Sequence, residues 1–190
     1  MVIATARLTL TPLRVEDAEE MVGVLGDESL YVFTGGRPPT DDELRDRFRR
    51  QVAGSSPDGA EEWRNWIVRQ TGGGDAIGYV QATIAEQRAD IAWVIGIPWQ
   101  GRGYATEAVL ALVEWLEGRG IMTITAHIHP DHHASASVAR RAGLAPGDEM
   151  HEGEIVWRKL TGQRTVGLDA RQAALVATAW PTFITTPTRR

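Results

Sequence analysis

The sequence predicts a single α/β domain, and two features of its pattern carry that prediction. First, Asn65–Gln70 and Ala76–Ile84 are rich in β-branched and aromatic residues and flank a glycine-rich turn, which is typical of an antiparallel hairpin. Second, apolar runs at Asp90–Ile97 and Ile121–Ile128 enclose a helical pattern at about Gly103–Arg119, as in a strand–helix–strand unit. The first of these runs is nearly continuous, which indicates a central strand buried on both faces. Hairpins and one parallel crossover together favour a mixed sheet with flanking helices.

The remaining elements are short. In chain order they are a strand at Arg7–Leu13, a helix from Glu16 to Leu25, a helix after Thr40, a helix at Ala134–Ala142 and a strand at Glu152–Leu160. Thr40 and Glu43 match a capping box, in which both side chains satisfy backbone N–H groups at a helix start. We expect residues 1–160 to form the domain. Residues 161–190 are a C-terminal extension with a helical pattern at 169–179, and the extension is a candidate contact in a homodimer.

Composition narrows the class of protein. The chain has 190 residues, a formal net charge of −5 and no cysteine. The lack of cysteine excludes disulfides, thiolate nucleophiles and cysteine-ligated zinc sites. An acidic chain does not fit nucleic-acid binding, which needs a basic surface against phosphates. No apolar run reaches the roughly 20 residues of a membrane span, and the amino end lacks the solid apolar stretch of a signal peptide, so we expect a cytoplasmic protein.

The segment after the central strand has the pattern of a phosphate-binding turn. Gly101, Gly103 and Ala105 keep side chains small where the strand leads into a helix, and Arg102 adds positive charge. Backbone N–H groups in the first turn of a helix lack internal partners, so they can hold a pyrophosphate. Glycine here is also compatible with a tight turn that binds nothing. The dinucleotide fingerprint fits poorly because Thr106 stands at its third glycine, and the Gly-Lys-Ser/Thr of the phosphate loop is absent.

The order Gln100-x-x-Gly103-x-Ala105 resembles the coenzyme A-binding motif of the GNAT N-acetyltransferases. Further matches, to the branch that includes the ribosomal-protein-alanine acetyltransferases, are Arg7–Leu13, Ile77-Gly78, Gly103–Ala108, His129–Asp131, Ala134-Ser135 and Ala142–Leu144. The resemblance extends over about residues 5–160 in family order. It implies the GNAT fold, which is a mixed, mostly antiparallel twisted sheet of about seven strands with a central splayed parallel pair and flanking helices.

The resemblance also implies a reaction and its cosubstrate. Family members transfer acetyl from acetyl-CoA to a primary amine by direct attack in a ternary complex, and they bind acetyl-CoA where the two parallel strands separate. The acceptor here would be a peptide N-terminus or a small-molecule amine, with no nucleic acid, membrane or metal involved. Backbone of Ile95 and Ile97 would pair with the pantetheine arm, and amides from Gln100 to Thr106 would hold the pyrophosphate. The full set of positions that the resemblance assigns to acetyl-CoA is Val94, Ile95, Gly96, Ile97, Gln100, Gly101, Arg102, Gly103, Tyr104, Ala105, Thr106, His132 and Ser135.

Acetylation of an amine requires a base, because alkylamines are mostly protonated at pH 7. Asp90 is the candidate, since it begins the strand beside the expected thioester, where the branch often has an acid; it could equally end a surface loop. Further candidates are Glu62, Glu86, Glu152 and His127. Many relatives protonate the leaving thiolate with a tyrosine, whereas this chain has Ala139 at that position. Ser135 or Ser137 could substitute, or the thiolate leaves unassisted.

Two other functions fit parts of the sequence. Ala139, together with His132 where the branch often has asparagine, is compatible with a domain that binds or senses acetyl-CoA without catalysis. The histidines at 127, 129, 132 and 133, with Asp131, have a spacing compatible with a metal-dependent binding protein, although we expect no metal there. Aromatic candidates for the wall of an acceptor pocket are Tyr31, Phe33, Trp63, Trp66, Trp93 and Trp99. Trp115 and Trp157 instead fit the buried faces of their elements.

Overall fold

The computed structural model describes residues 1–72 and 74–162. Eight strands of that part form one sheet, and they are β1 (Ile3–Ala4), β2 (Leu8–Pro12), β3 (Glu62–Gln70), β4 (Ala76–Ala85), β5 (Arg88–Ile95), β6 (Thr123–Ile128), β7 (Ala145–His151) and β8 (Glu154–Leu160). The α-helices of the same part are α1 (Ala18–Val24), α2 (Asp41–Gln51), α3 (Tyr104–Gly118) and α4 (His133–Arg141). The helical pattern at 169–179 lies outside the described residues.

The strands follow the order β1-β2-β3-β4-β5-β6-β8-β7 across the sheet. All neighbours are antiparallel except β5 and β6, which are parallel and joined through α3. A parallel pair needs such a crossover, because the chain must return to the same end of the sheet. The mixed, mostly antiparallel sheet with flanking helices is thus confirmed.

The parallel pair is joined over only part of its length. Its ladder contains three residue pairs, Arg88–Asp90 with Thr123–Thr125, although β5 continues to Ile95 and β6 to Ile128. Beyond Asp90 the two strands separate and a gap opens in the centre of the sheet. The splayed pair implied by the family resemblance is therefore present.

Helices cover both faces of the sheet, but one face only in part. Leu112 and Leu116 of α3 share an apolar cluster with the central strands on the first face. On the second face, α1 and α2 cover Ile67, Tyr79 and Val94. Side chains alternate along a strand, so the residues two and four positions away share that second face. On this second face, the side chains beside α2 are not covered by a helix and are half-buried. We call this group the open face. It consists of Trp63 and Asn65 of β3, Gln81 and Thr83 of β4, Asp90 and Ala92 of β5, and His127 of β6.

Local sequence explains how α2 begins. Thr40 Oγ1 accepts from the Glu43 N–H at 3.3 Å, and Glu43 Oε2 accepts from the Thr40 N–H at 2.9 Å. This capping box, which the sequence predicts, satisfies two of the donors that a helix start leaves unpaired.

No helix among the described residues has the combined length and apolarity needed to cross a membrane.

The structure corrects three details of the sequence prediction. The sheet has eight strands because two strands were not predicted, the short β1 at Ile3–Ala4 and, at the other edge, β7. Its proline and glycine favour a loop, and both are tolerated here because β7 is an exposed edge strand with an irregular register. β5 ends at Ile95, and Ile97 instead begins a 3-10 turn that contains Pro98. Nor is β5 buried on both faces, since alternate positions from Asp90 onward are half-exposed on the open face.

Candidate active site

The turn that leads into α3 presents a row of unused backbone donors. In the described part of the chain, the N–H groups of residues 101–106 donate to no acceptor, and the first bond of the helix runs from the Glu107 N–H to the Gly103 oxygen. Gly101 and Gly103 have φ values of +72° and +80°, a left-handed conformation that residues with a Cβ rarely adopt. When left-handed residues alternate with right-handed ones, successive N–H groups point toward one place and form an anion-binding concavity. The helix dipole adds partial positive charge there.

The segment between β1 and β2 holds this turn in place. Glu107 accepts from the Thr5 hydroxyl at 2.6 Å, from the Arg7 N–H at 2.8 Å and from Arg7 Nε at 2.7 Å. The Arg7 guanidinium also donates to the Arg102 oxygen at 3.0 Å and lies over the ring of Tyr104, 4.7 Å from its centroid. The carboxylate in the first turn of α3 is thus neutralised by Arg7 and does not oppose an anion at the turn.

The edge of β5 borders the gap with backbone groups. Gly96 N–H donates to the Ile77 oxygen of β4, so by the alternation of an antiparallel ladder Val94 also turns its backbone toward β4. Trp93 and Ile95 therefore direct their N–H and C=O groups toward β6. Gln100 Nε2 donates to the Ile95 oxygen at 2.8 Å, which ties the turn to the strand end. Of the strand positions assigned by resemblance, Ile95 is the one whose backbone borders the gap, and Trp93 was missed.

Asp90 lies at the point where the two strands part. It is the last residue of β5 that pairs with β6, and its half-buried carboxylate makes no hydrogen bond to any described residue. Burial raises the pKa of Asp90 to about 6, against the opposing effect of Arg88. A carboxylate with this pKa is mostly ionised at pH 7 and still basic enough to take a proton.

His127 faces Asp90 from the other side of the opening. It lies two residues beyond Thr125, the partner of Asp90, and therefore on the same face of the sheet. Burial lowers its pKa, and the nearby His151, whose ring centroid is 5.3 Å away, lowers it further. The neutral imidazole of His127 and the carboxylate of Asp90 thus lie on opposite sides of the gap.

A family comparison identifies the class of protein to which this geometry belongs. The sequence matches the family model described as an acetyltransferase (GNAT) domain over residues 7–145. The chain belongs to this family. As a GNAT acetyltransferase it is an acyltransferase, as its resemblance to the family implies. A search of curated proteins finds no significant match.

Solved structures of GNAT proteins share the fold at low sequence identity. A ribosomal-protein-alanine acetyltransferase from Vibrio fischeri superposes with a TM-score of 0.72 at 15% identity, covering 87% of this chain and 100% of its own. The ribosomal-protein acetyltransferase RimL, in complex with coenzyme A, gives 0.71 at 17% identity with coverage of 84% and 98%. The microcin self-immunity acetyltransferase MccE, in complex with acetyl-CoA and AMP, gives 0.69 at 16% identity with coverage of 82% and 93%. Relatives of this GNAT domain therefore bind coenzyme A or acetyl-CoA.

The other carboxylates considered as bases are placed differently in this GNAT domain. Glu62 lies on the opposite face from Asp90 and pairs with Arg119, which follows α3, at 2.8 Å. Glu86 and Glu152 occupy exposed turns in a left-handed conformation, with φ values of 55° and 49°. Glu152 interacts electrostatically with His127. Of these four carboxylates, Asp90 is the half-buried one on the open face where the strands part.

At the open end of the gap, α4 begins with an ordered pair of polar side chains. His132 Nε2 and Ser135 Oγ are hydrogen-bonded at 3.1 Å, and the His132 ring stacks on Phe33 with centroids 4.5 Å apart. Burial lowers the pKa of His132. Ser137 is engaged separately, because its hydroxyl accepts from Arg141 at 2.7 Å. Ala139, where relatives carry a tyrosine, is completely buried in the core.

The aromatic candidates separate by face. Trp66 is buried and packs edge-on against Trp115, with ring centroids 4.9 Å apart, so it belongs to the core beneath α3. Trp63 lies on the open face, two residues before Asn65 on the same strand. Trp157 is buried, as its sequence pattern predicts. Two of the aromatic residues predicted to wall the acceptor pocket lie near the gap. Trp63 shares the open face with Asp90, and Phe33 stacks on His132 at the open end of the gap.

Two polar side chains near the open face were not predicted. Arg47 and Gln51 lie one turn apart on α2 and line a small pocket over Asn65, Tyr79 and Gln81. Their helical spacing marks α2 as amphipathic, but it does not reveal which strand positions they meet. The histidines at 127, 129, 132 and 133 do not converge, and the described residues contain no group of three or more side chains suited to hold a metal ion.

Proposed function

We propose that this chain is an acetyl-CoA-dependent N-acetyltransferase that acetylates a primary amine by direct attack in a ternary complex. One observation carries the proposal: a row of free backbone donors at residues 101–106 stands beside a gap between two parallel strands. A pyrophosphate matches the donors in charge, and an extended arm of amides matches the exposed strand edge. Solved relatives that contain coenzyme A or acetyl-CoA on the same fold support this assignment.

In the proposed complex, the amides from Gly101 to Thr106 bind the pyrophosphate and the exposed Arg102 adds charge. Gln100 supports the turn instead, because its own N–H donates to the Ile97 oxygen. The backbone of Ile95 pairs with the pantetheine arm, with Trp93 as a second partner on the same edge. Val94, Gly96 and Ile97 shape the strand end, because Val94 and Gly96 face β4 and Ile97 lies in the turn. His132 and Ser135 contact the arm at the open end of the gap. The ring of Tyr104 packs against the Arg7 guanidinium and so supports the turn without contacting the pyrophosphate.

The bound thioester supplies an activated acetyl group at the point where the strands part. Asp90 takes the proton that the acceptor ammonium must lose, since its pKa of about 6 leaves it ionised at pH 7. The amine nitrogen then attacks the carbonyl carbon and the C–N bond forms. The nitrogen gives up its second proton to water, and the C–S bond breaks with its electron pair on sulfur. Because Ala139 is buried and carries no hydroxyl, the thiolate takes its proton from water.

Ala139 also favours a second candidate, a domain that binds acetyl-CoA without turning it over. A buried alanine cannot act as the acid that many relatives provide. In that case the backbone site would bind acetyl-CoA and the open face would be catalytically silent. The unpaired Asp90 on that face argues for catalysis, since a purely binding site gains nothing from a desolvated carboxylate.

A thiol-release assay distinguishes the two. The chain has no cysteine, so a thiol reagent reports only coenzyme A set free by transfer. With acetyl-CoA and a panel of peptide and small-molecule amines, we expect amine-dependent release. Calorimetric binding of acetyl-CoA without release for any amine would favour the sensing domain. Absence of both binding and release would overturn the coenzyme A site itself.

A further inference from the structure

The pocket between α2 and the open face contains an arginine whose surroundings differ from those of the others. Among the arginines at residues 1–72 and 74–162, Arg47 alone is half-buried and has no carboxylate within 4 Å. Arg45 and Arg69 are also half-buried, but each pairs with acidic side chains. Because a partly desolvated charge without a counter-ion is unfavourable, the position of Arg47 needs an explanation.

Its neighbours offer polar atoms but no negative charge. The pocket is lined by Gln51, Asn65, Tyr79 and Gln81 together with the apolar side chains of Leu13, Leu25 and Phe48. Gln51 is 91% buried, and its Oε1 has no hydrogen-bond partner among the described residues. Burial of an amide oxygen without a partner costs free energy, so Gln51 Oε1 leaves an unmet hydrogen bond in the small pocket that Arg47 also lines. The polar lining makes this pocket a candidate contact for one end of a polar ligand.

The pocket adjoins the proposed reaction centre. Asn65 pairs with Gln81 across β3 and β4, and Gln81 pairs with Ala92 of β5, two residues from Asp90. With strands about 4.8 Å apart, the pocket floor lies roughly 5–10 Å from the backbone of β5 at the gap. An acceptor whose amine points to Asp90 would therefore extend its other end over Gln81 toward Arg47.

We infer that the acceptor of this enzyme carries a carboxylate and that Arg47 binds it. The inference rests on the proposed function and specifies its substrate class. The guanidinium supplies two parallel donors in the geometry of a carboxylate, while Asp90 receives the positively charged amine end. The opposite signs of Asp90 and Arg47 set the orientation of a zwitterionic acceptor.

The test uses two acceptors that differ only in charge, δ-aminovalerate and its terminal amide. We expect the wild-type kcat/KM for the carboxylate to exceed that for the amide by at least about tenfold, the size of one charge-assisted hydrogen bond. Arg47→Gln should abolish that preference by raising KM for the carboxylate, with less than about twofold effect on the amide. Arg47→Lys should restore part of it, because charge is kept and the fork is lost.

Arg50→Gln is the matched control, because Arg50 lies on the same helix, is exposed and also has no carboxylate partner among the described residues. It should leave both acceptors unchanged. Equal wild-type rates for the two acceptors, or an equal loss of both in Arg47→Gln, would overturn the inference. Circular dichroism checks that Arg47→Gln is folded.

A binding experiment keeps the inference separate from the proposed function. Calorimetric titration of δ-aminovalerate into protein saturated with coenzyme A requires no turnover. Binding to the wild type that weakens at least about tenfold in Arg47→Gln supports the anion site even if no acetyl transfer occurs. Failure of the wild type to bind δ-aminovalerate more tightly than its amide refutes the site, whatever the protein does with acetyl-CoA.

Discussion

The two sides of the proposed reaction centre are built in different ways. The turn at residues 100–106 is contiguous in sequence and offers backbone N–H groups, whereas the open face collects side chains from α2, β3, β4, β5 and β6. Backbone donors do not depend on residue identity beyond the need for Gly101 and Gly103. Side chains such as Asp90 and Arg47 instead contribute charges that depend on residue identity. Under the proposed function, a coenzyme A site built from backbone is combined with an acceptor side whose specificity depends on side chains.

The largest expected effect is on the side-chain half. Asp90→Asn removes the base, and we expect kcat/KM at pH 7 to fall by about 10²–10⁴, the usual contribution of general base catalysis. In the wild type, kcat/KM should decline as pH falls through about 6, because Asp90 is then protonated. The variant should lack that decline. Glu86→Gln, an exposed carboxylate in a turn, is the control and should change the rate less than twofold; an unaltered profile in Asp90→Asn would remove Asp90 from the role.

The same substitution should stabilise the fold. The pKa of Asp90 rises from 3.8 unfolded to about 6 folded, so the folded state gains protons and its ionised form is penalised. The stability that the protonated carboxyl provides is complete below pH 4 and is lost as pH rises through 6. Asp90→Asn cannot ionise, so at pH 8 we expect it to be more stable than the wild type by up to about 3 kcal/mol. Denaturant unfolding at pH 4 and pH 8 checks this, and a difference independent of pH contradicts it.

A smaller effect is expected on the backbone half. Gly103 has a positive φ, so a substitution by glutamate would change backbone strain and charge together and would not separate the two effects. Aspartate and asparagine tolerate that conformation and differ only in charge, which makes them a matched pair. We expect Gly103→Asp to weaken coenzyme A binding at least about tenfold more than Gly103→Asn, through repulsion of the pyrophosphate. Equal affinities by calorimetry would mean that no phosphate lies at the turn.

The smallest expected effect concerns Ser135. If Ser135 contacts the pantetheine arm, Ser135→Ala removes one neutral hydrogen bond and should raise KM for acetyl-CoA about two- to tenfold with kcat unchanged. A fall in kcat with KM unchanged would instead make Ser135 the acid for the leaving thiolate. Ser137→Ala is the control, because its hydroxyl is bound to Arg141.

Sequence by itself determined the features that depend on neighbours in the chain. The hairpin of β3 and β4, the capping box at Thr40 and the glycine turn before α3 follow from local conformational preferences, which act over a few residues. β7 escaped prediction for the same reason. Its proline and glycine disfavour a strand locally, and only pairing with β8 makes one.

Only the tertiary structure decided which side chains meet. Asp90, His127 and Arg47 come from three elements up to 80 residues apart, and a shift of one residue in the register of β5 or β6 would turn Asp90 or His127 to the opposite face. The family resemblance favoured Asp90, but sequence spacing gave no ground to exclude Glu62, which the fold places on the other side of the sheet. Burial, which raises the pKa of Asp90 and leaves Arg47 without a counter-ion, is a property of the packed sheet and its helices, so no local pattern could reveal it.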